Sequence, residues 1–220
     1  MATSRIQSTS LTLAAADADG ISTSQTPSGA GNLTITGALA SGGVATMDIQ
    51  RKVLFTFAAD ESAKTFVVTG TNQFGVAISE TVTGTDSTAI TILDYKTVSQ
   101  ISVSAALTGA VTVGTTTKAS SVWIPVRSDL ELFLVSCSCE ISSGGSLTYT
   151  LQHCIHADPP NEAATATTLT VFNNDDSSLV NATTSKVGNY IVPITAVRVN
   201  VTAFTSGTVT LKVMQAGKDR

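Results

Sequence analysis

Apolar residues in this chain recur at every second position, and nowhere do they keep the i, i+3, i+4, i+7 spacing of a helical face over three turns. Side chains alternate across a strand with a period of two, so this rhythm excludes an amphipathic helix and commits the chain to sheets with one face buried. Leu33 and Ile35; Val53, Phe55 and Phe57; Phe66 and Val68; Ile78, Glu80 and Val82; Ile90 and Ile92; Ile101 and Val103; and Val111 and Val113 mark short strands in the first half. Turn-forming clusters separate them: Ser41-Gly42-Gly43, Ala59-Asp60-Glu61-Ser62, Asn72-Gln73-Phe74-Gly75 and Gly84-Thr85-Asp86-Ser87. Short strands between regular turn signals predict an all-β fold of antiparallel sandwich or small-barrel type.

The alternation lapses over Gly114-Thr115-Thr116-Thr117-Lys118-Ala119-Ser120-Ser121, a stretch of small polar residues that reads as a linker. With 220 residues the chain can bury two cores. Two tandem domains are therefore expected: residues 1–117, with an extended N-terminal segment, and residues 118–220. The second restarts at Val122-Trp123-Ile124-Pro125-Val126 and continues through Phe133, Val135, Cys137, Cys139 and Ile141. Ser142-Ser143-Gly144-Gly145-Ser146 then predicts a hairpin turn into Leu147, Tyr149, Leu151, His153 and Ile155. Later strands are expected over Ala196 to Ala203 and Thr208 to Met214, joined by Phe204-Thr205-Ser206-Gly207. Between them, the irregular span from His156 to Val187 holds one more apolar run, Leu169-Thr170-Val171-Phe172, and its loops are expected to carry contacts with neighbours.

Only 13% of residues are charged, against roughly 25% in an ordinary soluble domain, so polarity rests on Ser and Thr hydroxyls. Such a surface packs against copies of itself without strong like-charge repulsion. The formal charge is −4 and the basic residues, among them Arg51, Lys52, Lys64, Lys96, Arg127 and Arg198, are scattered, so no stripe for phosphate neutralisation exists and nucleic acid is not an expected partner. Nor is a membrane, because no run approaches the roughly 18 apolar residues of a spanning helix. Met1 to Leu13 lacks the apolar core and small-residue cleavage site of a secretory signal, which predicts cytoplasmic synthesis. Three cysteines fit the same compartment, with Cys137 and Cys139 on one face of a strand at a spacing poorly suited to a disulfide.

No residues assemble a convincing chemistry. The two histidines, His153 and His156, sit at an odd offset that sends them to opposite faces of an extended strand. A zinc site from them would need Cys137 or Cys139 as well as Cys154. Asp17-Ala18-Asp19-Gly20 opens like a calcium loop, but Ile21-Ser22-Thr23-Ser24 supplies none of the later ligands. Asp158-Pro159-Pro160-Asn161-Glu162 and Asn173-Asn174-Asp175-Asp176 read as polar turns. Gly29-Ala30-Gly31-Asn32 and Ser41-Gly42-Gly43 precede neither a helix nor a Lys, so they do not cradle phosphate. Glu61, Glu80, Glu131, Glu140 and Glu162 stand in ordinary strand or turn contexts and no two are nominated as a catalytic pair. Trp123 is expected as a core anchor. The expectation is no catalytic, cofactor-binding or metal-binding residue.

One resemblance goes further than spacing. The run from Thr26 to Thr46, Thr-Pro-Ser-Gly-Ala-Gly-Asn-Leu-Thr-Ile-Thr-Gly-Ala-Leu-Ala-Ser-Gly-Gly-Val-Ala-Thr, resembles a block found in virion structural proteins of tailed bacteriophages. The resemblance continues through Phe66–Asn72, Ser79–Gly84, Tyr95–Val98, Gly109–Gly114, Ser121–Pro125 and Gly207–Val213, and His153–Phe172 departs from it. It implies a particle component without catalysis, located in the virion, whose partners are copies of itself in a cyclic homo-oligomer and the major capsid protein or other virion proteins. A capsid decoration protein that bridges capsomers is the leading expectation, with a neck or tail component as the alternative. From another class, a carbohydrate-binding sandwich would need exposed aromatic rings, and aromatics are 5% of the chain with Phe55, Phe57, Phe66, Phe133 and Tyr149 expected in the core.

Overall fold

The computed structural model describes residues 5–130, 133–155 and 170–216, and their regular secondary structure is almost wholly antiparallel strand. These form two compact units, Ala14–Ala119 and a second composed of Met1–Leu13 with Ser120–Arg220. The first is thus an insertion in the second. The N-terminal segment does not belong with the residues that follow it, as the expected 1–117 domain required. Strand β1 (Arg5–Leu11) instead pairs with the last strand of the chain in an unbroken ladder from Arg5↔Gln215 to Leu11↔Val209. Its inward side carries Gln7 and Thr9 before Leu11, too polar a phase to announce a core strand.

The inserted unit contains β2 (Ser22–Gln25), β3 (Gly31–Asn32), β4 (Ala40–Ser41), β5 (Val44–Arg51), β6 (Val53–Phe57), β7 (Thr65–Thr71), β8 (Ala77–Thr83), β9 (Thr88–Ile90), β10 (Tyr95–Val103) and β11 (Val111–Thr115). One sheet has the order β4, β5, β10, β7, β8, with β3 also on β10, and the other has the order β2, β11, β6, β9. Burial alternates strictly along β6 and β7, as the sequence rhythm requires. Phe55, Phe57 and Phe66 meet in the core with ring centroids 5.2 to 6.1 Å apart, each contributing on the order of 2 kcal/mol by burial. Ile90 and Ile92, by contrast, are exposed.

The two chain ends of this unit are fastened together. Thr115 N–H donates to Asp17 C=O at 2.7 Å, and the Asp17 N–H returns a bond to Thr115 Oγ1 at 3.0 Å. Arg51, buried, donates through Nη2 to both Ala14 C=O and Thr116 C=O, and through Nη1 to Asp48. The expected linker is therefore no linker: Thr115, Thr116, Ala119, Ser120 and Ser121 are buried, and the small side chains that suggest flexibility are what allow close strand packing. Gly114 illustrates this, since a methyl group there would lie 1.9 Å from Asp17 C=O.

The split unit adds β12 (Ala119–Ser120), β13 (Ile124–Pro125), β14 (Leu134–Ile141), β15 (Ser146–Cys154), β16 (Phe172–Asn173), a 3-10 turn at Ser177–Leu179, β17 (Lys186–Tyr190), β18 (Ala196–Ser206) and β19 (Val209–Ala216). One sheet runs β1, β19, β14, β17; the other runs β12, β18, β15, β16, with β13 also on β18. The expected Ile141–Leu147 hairpin is absent as a ladder: β14 and β15 lie in different sheets, and the Ser142–Gly145 turn arches from one to the other. Gly207 turns the chain back between sheets in the same way, from β18 to β19. Alternation is identical for a hairpin and an arch, because both keep the apolar phase facing the core. Of the irregular span, residues 156–169 lie outside the described residues; Asp176 caps the 3-10 turn by accepting from Ser178 N–H at 2.8 Å.

Candidate functional surfaces

The residues weighed for chemistry do not converge. Cys137 and Cys139 point inward from β14, where burial pushes both thiols up to about 12, and Cys154 is buried on β15. His156, Asp158, Glu131 and Glu162 lie outside the described residues. Among the described residues, no three His, Cys, Asp or Glu side chains are placed to hold a metal ion. Asp17 and Asp19 occupy a turn in which Asp19 N–H donates to Asp17 Oδ1 at 3.3 Å.

The glutamates have structural partners. Glu80 accepts from the Ile92 and Leu93 amides at 2.6 and 2.8 Å, and Glu140 pairs with Lys212 on the neighbouring strand at 2.6 Å. Glu61 departs from the expected ordinary turn residue, being only 1% exposed. Its Oε1 accepts from the Thr108 and Gly109 amides, and its Oε2 accepts from Lys64 Nζ. Neither this site nor Arg51 had a sequence signal, because each is completed by backbone groups far away along the chain.

His153 faces the interior of the split unit beside Tyr190, at 5.0 Å between centroids, and Phe172, at 5.6 Å. Burial holds its imidazole below the ordinary value, opposed by the negative charge of Asp175. The Nδ1 atom is sealed from solvent with no hydrogen-bond partner among the described residues. Trp123 is half-buried, and the Arg198 guanidinium covers its ring at 4.6 Å.

The outer strand faces have a more uniform character. Hydroxyls pair across strands at Ser10–Thr210 (2.9 Å), Thr69–Ser79 (3.3 Å) and Thr71–Thr97 (2.7 Å), and Thr23 of β2 pairs with Thr36 in the segment between β3 and β4 (2.8 Å). On the outer face of the β1, β19, β14, β17 sheet, Ile6, Met214, Leu134 and Val187 are exposed among Ser8, Ser136, Ser138 and the Lys212–Glu140 ion pair. The sequence does contain this signal, in the alternate phase of the strands that build the core. Among the described residues no helix is long and apolar enough to cross a membrane.

Compared with known proteins, the chain matches no protein-family model, no curated protein and no solved structure.

Proposed function

We propose that this chain is a non-enzymatic structural subunit of a tailed-bacteriophage particle, a decoration protein that binds the capsid shell and bridges capsomers. The observation that carries the reading is the outer surface of its sheets, where paired hydroxyls and isolated aliphatic side chains outnumber charges such as the Lys212–Glu140 pair. Hydroxyls exchange water for a partner's polar groups at small net cost, and the aliphatic groups gain on burial. Interfaces of this kind are individually weak and become effective when many linked contacts act together. The resemblance to virion proteins supplies the particle; the surface chemistry supports assembly over catalysis.

Purified protein mixed with shells that lack it should co-sediment with them and raise the temperature at which they open. Labelled protein found on tails alone would move the subunit to the neck or tail. Release of product from a substrate panel, or saturable glycan binding without particle binding, would overturn the structural reading.

A further inference from the structure

Among the described residues, no further strand pairs with either edge of the sheet β1, β19, β14, β17, and the edge charges are confined to Arg5 and Lys186, the first residue of each edge strand. From Ile6 to Leu11, β1 carries no charge, no Pro and no Gly, and its ladder to β19 has no bulge. At the other edge, the ladder of β17 to β14 is also regular.

The hydrogen-bond phase fixes which residues face outward. Ser142 N–H donates to Thr208 C=O, so the residues of β19 in phase with Thr208 bond β14, and Val209, Leu211, Val213 and Gln215 bond β1. Ile6, Ser8 and Ser10 therefore turn their backbone groups to the open side. By the same alternation Val187 and Asn189 do so on β17, and Ile191 continues the phase just past its end. The outward side chains are conspicuously apolar at matching places: Ile6 is 65% exposed, and Val187 and Ile191 are each 73% exposed.

We propose that β1 of one copy pairs with β17 of the next, continuing the sheet head to tail from subunit to subunit. Three antiparallel steps separate β1 from β17, so the two strands run in opposite directions, and a second copy placed in line presents β17 antiparallel to β1. The register that matches both polarity and phase sets Ile6 against Ile191, Ser8 against Asn189 and Ser10 against Val187. Apolar meets apolar at one end, polar meets polar at the centre, the Ser10 hydroxyl meets Val187 at the other end, and no charge is buried. A heterologous contact of this kind uses both edges of every copy and generates rings, or filaments where the rotation does not close. The occupant is a second copy because each edge finds its complement on the other. The inference rests on reading the chain as a repeated subunit.

The test uses the full chain with Ser8→Cys in one preparation and Asn189→Cys in another. Opposed residues of an antiparallel hydrogen-bonded pair have Cα atoms about 5.5 Å apart, within disulfide reach. The native thiols are buried. Mild oxidation of the mixture should give a disulfide-linked dimer that neither preparation gives alone. Self-linking of the Ser8→Cys protein would show β1 meeting β1 across a two-fold axis and would overturn the head-to-tail contact, as would a mixture that never links. Ser8→Pro removes an amide that faces the open side and leaves the β1–β19 ladder whole, so it should lower the scattering mass with an unchanged circular dichroism spectrum; an unchanged mass overturns the proposal. Shell binding is measured in parallel. Protein that links but does not bind shells sinks only the particle reading, and protein that binds shells without linking sinks only the edge contact.

Discussion

Gly207 and Gly145 close on each other where the two arches of the split unit run side by side: a methyl group on Gly207 would lie 2.5 Å from Gly145 Cα. Ser142 locks the pair, donating its N–H to Thr208 C=O and accepting Thr208 N–H on Oγ at 3.0 Å. Gly207 also has a φ of 95°, which side chains rarely adopt.

Gly207→Ala should therefore lose stability twice, by about 1–2 kcal/mol for the backbone and by about 1–3 kcal/mol for the forced contact. Gly144, with a φ of 73° and open space around it, should tolerate Asn far better than Val. Chemical denaturation of the three variants checks this ranking. Equal midpoints for Gly207→Ala and wild type would mean that the arches are not adjacent.

The buried Glu61 carboxylate gives the inserted unit a defined acid response. Burial pushes its pKa up, but the Lys64 ammonium and the Gly109 and Thr108 amides together outweigh this and leave it below the ordinary glutamate value. Because the folded value lies below the unfolded one, the stabilisation is fully present above about pH 4.3–4.5 and disappears as pH falls through the lower folded value. Glu61→Ala should cost about 3 kcal/mol at neutral pH, since two amides and Lys64 lose their acceptor, and should flatten the acid slope of the melting temperature. Calorimetry at pH 7 and pH 3 measures both. A variant as acid-sensitive as wild type would remove Glu61 from the account.

The strands of both units were legible because burial imposes the same period of two that the side chains display, as in β6 and β7. Their partners were not. Leu11 and Leu13 gave too short an apolar trace to reveal β1, whose ladder depends on a strand about 200 residues away along the chain. Gly114 and the buried threonines after it read as a linker because close strand packing and flexibility select the same small residues. The open edges could be inferred only once strand order was known, since Val187 and Ile191 resemble core residues in sequence.

Cys137 and Cys139 should be unreactive in the native protein. Burial pushes both thiols up to about 12, leaving almost no thiolate at pH 8, and neither is accessible. A thiol reagent at pH 8 should label neither before unfolding, and both in denaturant. Labelling faster than the measured unfolding rate would show that the β14 face opens locally.

The insertion of one unit within the other changes what cleavage and truncation do. Lys118 N–H donates to Thr116 Oγ1, its carbonyl accepts from Lys52 N–H, and the residues around it are buried, so the backbone cannot enter a protease cleft without unfolding. Trypsin should spare Lys118 under native conditions, although its side chain is exposed. Removal of residues 1–13 should act on the opposite end of the chain: β19 loses its partner, and the core loses Leu11 and Leu13. Two buried leucines correspond to about 3–6 kcal/mol, enough to unfold a marginal domain, while Ala14–Ala119 retains both its sheets. Hydrogen exchange on the truncated chain should show protection lost across β14, β18 and β19 and kept across β6, β7 and β10. Loss spread evenly over both units would mean that they fold as one, and the insertion would have no thermodynamic meaning.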